Sequence, residues 1–80
     1  MTNKLSAFLR LATQEEKTSL AVHAGTTENY LYQLAGGHRT DPATSISVGI
    51  ENGTRALRQH NRKLPVVTVA DVLAIPRRRG

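Results

Sequence analysis

Eighty residues with no cysteine, one Phe and two Tyr fit one small domain: a core of this size buries roughly 60% of the unfolded chain's surface, and length excludes a two-domain enzyme or a solenoid of several repeats. The missing Cys removes disulfides, thiolate nucleophiles and Cys-type zinc sites together. Eleven Lys+Arg against six Asp+Glu give a net charge of +5, which favours a polyanionic partner, nucleic acid ahead of an anionic membrane surface.

The opening Met1 to Ser6 lacks a long apolar run with a cleavage site, and no stretch approaches the roughly 20 apolar residues of a membrane span. A cytoplasmic protein without membrane contact is expected. From Lys4 to Ala12, the residues Leu5, Phe8, Leu9 and Ala12 recur at i, i+3, i+4 and i+7, one apolar helical face with Leu11 beside it. Thr13-Gln14-Glu15-Glu16 matches a capping box and opens a second helix over about Gln14 to Ala24. Gly25 stops it, and Thr27 is a natural N-cap for a third helix, about Glu28 to Ala35, with Leu31 and Leu34 facing inward. Gly36-Gly37 ends that helix.

His38 to Asp41 reads as a loop. Asp41-Pro42 is a helix start signal, with Asp41 as cap and Pro42 at the first helical position. The fourth helix carries Ile46, Ile50, Gly53 and Leu57 on one seam, and Gly49 and Gly53 let another helix come close. Beyond a polar hinge at His60 to Lys63, Val66 to Val69 has β character, while Thr68 to Ile75 reads equally as a short capped helix. Pro76 ends the ordered part, and Arg77 to Gly80 reads as a basic tail. The expected organisation is one domain over 1–75 and a tail over 76–80: an all-α bundle of four or five helices with a possible short C-terminal strand.

Lys17 to Gly36 is the informative stretch. Two short helices meet at Gly25-Thr26-Thr27, Ala21 is small where they cross, and Leu20, Ala24, Leu31 and Leu34 form their shared seam. This is the helix-turn-helix plan, whose second helix can enter the major groove.

The run Gly25-Thr26-Thr27-Glu28-Asn29-Tyr30-Leu31-Tyr32-Gln33-Leu34-Ala35-Gly36-Gly37-His38-Arg39 resembles the YdaS-like group of Cro/CI-type helix-turn-helix proteins, small phage and prophage regulators. Leu5 to Ala12 followed by Thr13 to Glu16 resembles the opening of that group, and the similarity covers about residues 4 to 53. The resemblance implies a lambda-repressor-like helical domain that binds operator DNA, usually as a dimer. The stretch from Asn52-Gly53 through Lys63 is longer and more basic than the group's pattern.

On that plan Thr27, Glu28, Asn29, Tyr32 and Gln33 lie on the outward face of the third helix, as candidate base readers. Asn29 and Gln33 suit the task best, because a carboxamide can bond bidentately to adenine N6 and N7. Glu28 either accepts from cytosine N4 or, the favoured reading, stabilises the start of its own helix. Tyr30 is expected to pack at the domain edge. Lys17, His38, Arg39 and Thr40 are candidate phosphate contacts. Val66, Val67, Val69 and Val72 are candidates for self-association, or else fold back onto the first helix.

His23, His38 and His60 show no HxxxH or HxH spacing, and no nucleophile elbow or phosphate loop is present. No catalysis, metal, cofactor or small-molecule substrate is expected. The leading expectation is a sequence-specific regulator on double-stranded DNA, acting as a homodimer on operator half-sites. An antitoxin-like component working by protein–protein contact is a second reading, and a basic RNA or membrane-surface binder a third. The charge is unevenly placed. Residues 1–54 carry Lys4, Arg10, Lys17 and Arg39 against Glu15, Glu16, Glu28, Asp41 and Glu51, net −1; residues 55–80 carry Arg55, Arg58, Arg62, Lys63 and Arg77 to Arg79 against Asp71, net +6.

Overall fold

Short helices need defined ends, because their terminal N–H and C=O groups have no partner inside the helix. In the computed structural model, which describes residues 3–76, a local side chain caps the start of four of the five described helices. Helix α1 (Lys4–Leu11) is capped by Asn3, whose Oδ1 accepts from the Ser6 N–H at 2.8 Å. Helix α2 (Gln14–Ala24) opens on the expected capping box: the Glu16 N–H reaches Thr13 Oγ1 at 3.2 Å and the Thr13 N–H reaches Glu16 Oε1 at 2.8 Å. Helix α3 (Glu28–Ala35) is capped by Thr27, whose hydroxyl accepts from the Tyr30 N–H at 3.2 Å.

The turn between α2 and α3 depends on Gly25. Its φ of +68° lies in the left-handed region, where a Cβ is penalised. Two bonds close the turn, from the Gly25 N–H to Val22 O at 3.1 Å and from the Thr26 N–H to Ala21 O at 2.9 Å. That is the Schellman arrangement. Gly37, at φ +77°, repeats it behind α3, with the His38 N–H on Gln33 O.

Helix α4 (Thr44–His60) starts later than the Asp41-Pro42 signal suggests. Asp41 takes φ +54°, a left-handed turn conformation that Asp tolerates but that is incompatible with the extended backbone of an N-cap. The capping position falls to Ala43, which offers no side-chain bond. Inside α4 the glycines do what their spacing implies. A Cβ on Gly49 would stand 2.6 Å from Ala24 Cα and 2.7 Å from the His23 carbonyl oxygen; one on Gly53 would stand 2.8 Å from Leu20 Cδ1. The backbones of α2 and α4 therefore pack closer than any larger residue permits.

The C-terminal segment forms no strand. Residues 65–68 are extended and lead into α5 (Val69–Leu73), so all five elements among the described residues are helices. The physical reason lies outside the segment's own propensity. The Val67 N–H donates to Thr54 Oγ1 at 3.0 Å and the Val69 N–H to Glu51 Oε1 at 2.9 Å, so side chains of α4 take the donors a ladder would use. Thr68 and Asp71 then form a second capping box, which starts α5.

One core joins the elements: Leu5, Phe8 and Leu9 from α1, Leu20, Ala21 and Ala24 from α2, Leu31, Leu34 and Ala35 from α3, Ile50 from α4, and Leu64, Val67 and Val72 from the C-terminal segment. Val67 is wholly buried and Val72 4% exposed. These two self-association candidates are thus part of the chain's own core, and α5 packs against α4 and α1, with Lys4 Nζ 3.6 Å from Asp71 Oδ2. Val66 and Val69 are half-buried. The basic tail expected at the C-terminus lies, from residue 77 on, outside the described residues.

Candidate nucleic-acid interface

Burial of Leu31, Leu34 and Ala35 fixes which side of α3 faces inward. The opposite side presents Asn29, which is exposed, Tyr32, 46% exposed, and Gln33, half-buried. Asn29 stands one turn from Tyr32 and Gln33, so the three share one surface. Tyr30 packs against the core from its margin.

Cations flank this surface on both sides. Lys17 Nζ donates to the Tyr32 hydroxyl at 3.0 Å and lies 5.7 Å from the centre of the ring, which places the ammonium of α2 beside α3. The Tyr32 hydrogen bond raises the Lys17 pKa from its ordinary value, so this group is charged across the neutral range. Arg39 Nε donates to Gln33 Oε1 at 3.1 Å. That bond orients the Gln33 carboxamide with its NH2 group left to donate elsewhere. Thus two expected phosphate candidates and two expected base readers come together in pairs.

Glu28 behaves differently. Its carboxylate accepts from Gln14 Nε2 at 2.7 and 2.8 Å and from the Thr18 hydroxyl at 2.6 Å. The Thr18 bond above all, then the Gln14 bonds and the nearby Lys17 charge, hold its pKa below the ordinary carboxylate value. Glu28 therefore braces the start of α3 to the first turns of α2. Gln14 and Thr18, the other half of the brace, carry no signal of this role in the sequence. They lie 14 and 10 residues away, and no local pattern marks them.

Thr27 is exposed at the head of α3, with its oxygen engaged as a cap. His38 is exposed, and its ring lies against Gly36, where a Cβ would meet it at 3.0 Å. Arg39 and Thr40 border a cleft whose other walls include Leu34, Val72, Leu73 and Ile75. Among the described residues no group of three or more His, Asp or Glu is placed to hold a metal ion, and no helix is long and apolar enough to cross a membrane.

The other end of α3 is held by Asn3. Its Nδ2 donates to the Ala35 carbonyl at 2.8 Å, while its Oδ1 caps α1. Compared with protein-family models, curated proteins and solved structures, the chain matches none of them.

Proposed function

We propose that the chain is a sequence-specific regulator that binds double-stranded DNA through the outward face of α3, with α2, the Gly25 turn and α3 working as a helix-turn-helix. The observation that carries this reading is the pairing of Asn29 with Gln33 on the solvent side of a helix whose opposite side is core and whose flanks hold Lys17 and Arg39. Carboxamides one turn apart on an anchored helix suit base edges in the major groove, and cations beside them suit phosphates. Binding rather than catalysis is the proposed activity, and the cytoplasm its place.

Within that reading the resemblance of residues 25–39 favours a Cro-like repressor of phage or prophage type. A single module of this kind buries about 600–1,000 Å² of its own surface on DNA, so tight specific binding calls for two copies on half-sites about 34–36 Å apart. In vitro selection from random duplex DNA tests the proposal. Enrichment of one motif, lost when Asn29 and Gln33 are both changed to Ala, supports it; a pool that enriches no motif rejects it.

A further inference from the structure

Arg55 and Arg58 of α4 and Arg62 just beyond it gather around one surface. Arg55, Arg58, Gln59, Arg62 and Val66 line one open cleft of about 540 Å³. Among the described residues its walls hold three guanidinium groups, one carboxamide and one aliphatic side chain, and no carboxylate. Arg55 is tied to Glu51, NH2 to Oε2, at 3.3 Å. The side chains of Arg58 and Arg62 form no ion pair or hydrogen bond with a described residue.

Helix stability accounts for only part of this. Arg58 in the last turn of α4 complements the negative end of the helix dipole. Arg62 follows the C-cap Asn61, beyond the last turn, where the helix dipole gives it no such role. The segment after the helix folds back so that Leu64 and Val67 enter the core while Val66 stays on the cleft side. The arginines are thereby held around one groove. Guanidinium forks match phosphate oxygens bidentately, and an open groove suits an extended polyanion better than an enclosed small anion.

The groove also has a place relative to α3. Asn61 Nδ2 donates to Glu16 Oε2 at 3.4 Å, so the end of α4 abuts the first turn of α2. That turn is bonded through Gln14, and one turn further through Thr18, to Glu28 at the head of α3. The basic end of α4 and the start of α3 therefore belong to the same end of the molecule.

We infer that Arg58 and Arg62, supported by Arg55 and Gln59, grip the phosphodiester backbone of the duplex that α3 reads, supplying sequence-independent affinity from a surface separate from the reading face. This inference rests on the DNA-binding proposal. It assigns affinity to the arginines around the end of α4 and base readout to α3; residues 1–54 carry net −1, and Arg55, Arg58 and Arg62 are three of the cations behind the net +6 of residues 55–80.

The test is a salt titration of binding by the full chain to a selected duplex and to a random duplex of equal length, read by fluorescence anisotropy. Each phosphate contact contributes a slope of about −0.9 in log K against log salt. The double variant Arg58→Gln/Arg62→Gln is expected to make the slope shallower by about 2 and to weaken both duplexes equally, leaving their affinity ratio unchanged. Arg58→Lys/Arg62→Lys, which keeps the charge, is expected to retain the slope. Circular dichroism of both variants verifies that the helices persist. An unchanged slope in the Gln variant overturns the inference and leaves the α3 proposal standing. A collapse of the affinity ratio overturns it as well, since it assigns the arginines to base readout. Wild-type protein that binds neither duplex overturns the DNA-binding proposal itself. Loss of binding to anionic phospholipid vesicles with no change in duplex slope assigns the groove to a membrane surface and overturns it too.

Discussion

The Thr54 hydroxyl receives the backbone N–H of Val67 at 3.0 Å while donating to the Ile50 carbonyl at 2.8 Å. Both residues are wholly buried. One side chain on α4 thus satisfies the main chain of a segment that would otherwise bring an unpaired donor into the core. Thr54→Val keeps the shape and removes the acceptor. It is expected to cost about 1–3 kcal/mol, the desolvation of a buried unpaired group. Urea unfolding measures this, and Thr54→Ser is expected to retain more stability than the Val variant.

Gly49 and Gly53 separate helix propensity from packing. Alanine is favoured over glycine inside a helix by about 1 kcal/mol. At Gly49 the added methyl would meet the backbone of Ala24 and His23, which cannot yield without moving α2. Overpacking of that kind costs about 1–3 kcal/mol. Gly49→Ala is therefore expected to lower the melting temperature. It is also expected to be the worse of the two, because at Gly49 the near atoms are backbone, whereas at Gly53 they are side-chain atoms, Leu20 Cδ1 at 2.8 Å and His23 Cβ at 2.9 Å. A Gly49→Ala protein that melts above wild type contradicts the close α2–α4 approach.

Two carboxylates link stability to acid. Glu28 is held below its ordinary 4.5, chiefly by the Thr18 hydroxyl, and Asp71 below its ordinary 3.8, chiefly by the Thr68 N–H. A carboxyl with a depressed folded pKa contributes stability above its unfolded pKa, and that contribution is lost as the pH falls through the folded value. The stability gap between wild type and Glu28→Ala is thus expected to be full at neutral pH and to close on acidification below 4.5. NMR titration of the Glu28 side chain gives the direct check: a midpoint at or above 4.5 means that the Gln14 and Thr18 bonds do not form in solution.

On DNA, Asn29→Ala and Gln33→Ala are each expected to reduce discrimination against a changed base by about 1–3 kcal/mol at one position of the site. Lys17→Ala is expected to weaken selected and random duplexes alike. Quantitative footprinting on single-base variants of a selected site distinguishes the two patterns. Equal losses for all three variants on every duplex would mean that α3 does not read bases.

Legibility followed the range of the interactions. The bounds of α2 and α3 could be read because each end is set within four residues, by Thr13 with Glu16, by Gly25, and by Thr27. The close approach at Gly49 followed from the absence of a side chain. The start of α4 is not legible, because a left-handed Asp41 resembles a capping Asp in one dimension. Val66 to Val69 remained ambiguous because their course is set by Thr54 and Glu51, 13 and 18 residues upstream of the N–H groups they receive. For the same reason Val67 and Val72 looked available to a partner. On the candidate interface the outward residues followed from the two inward leucines. The brace at Glu28, the Lys17–Tyr32 contact and the Gln33–Arg39 contact need tertiary placement and leave no trace in spacing.

Asn3 and Glu28 together turn α3 into a beam with two supports. At one end Asn3 holds the Ala35 carbonyl from the cap of α1, and at the other Glu28 is fastened to α2. The helix cannot tilt without breaking a contact to one neighbour or the other. Its orientation is therefore fixed in the folded chain, and docking on it costs the helix little additional conformational entropy.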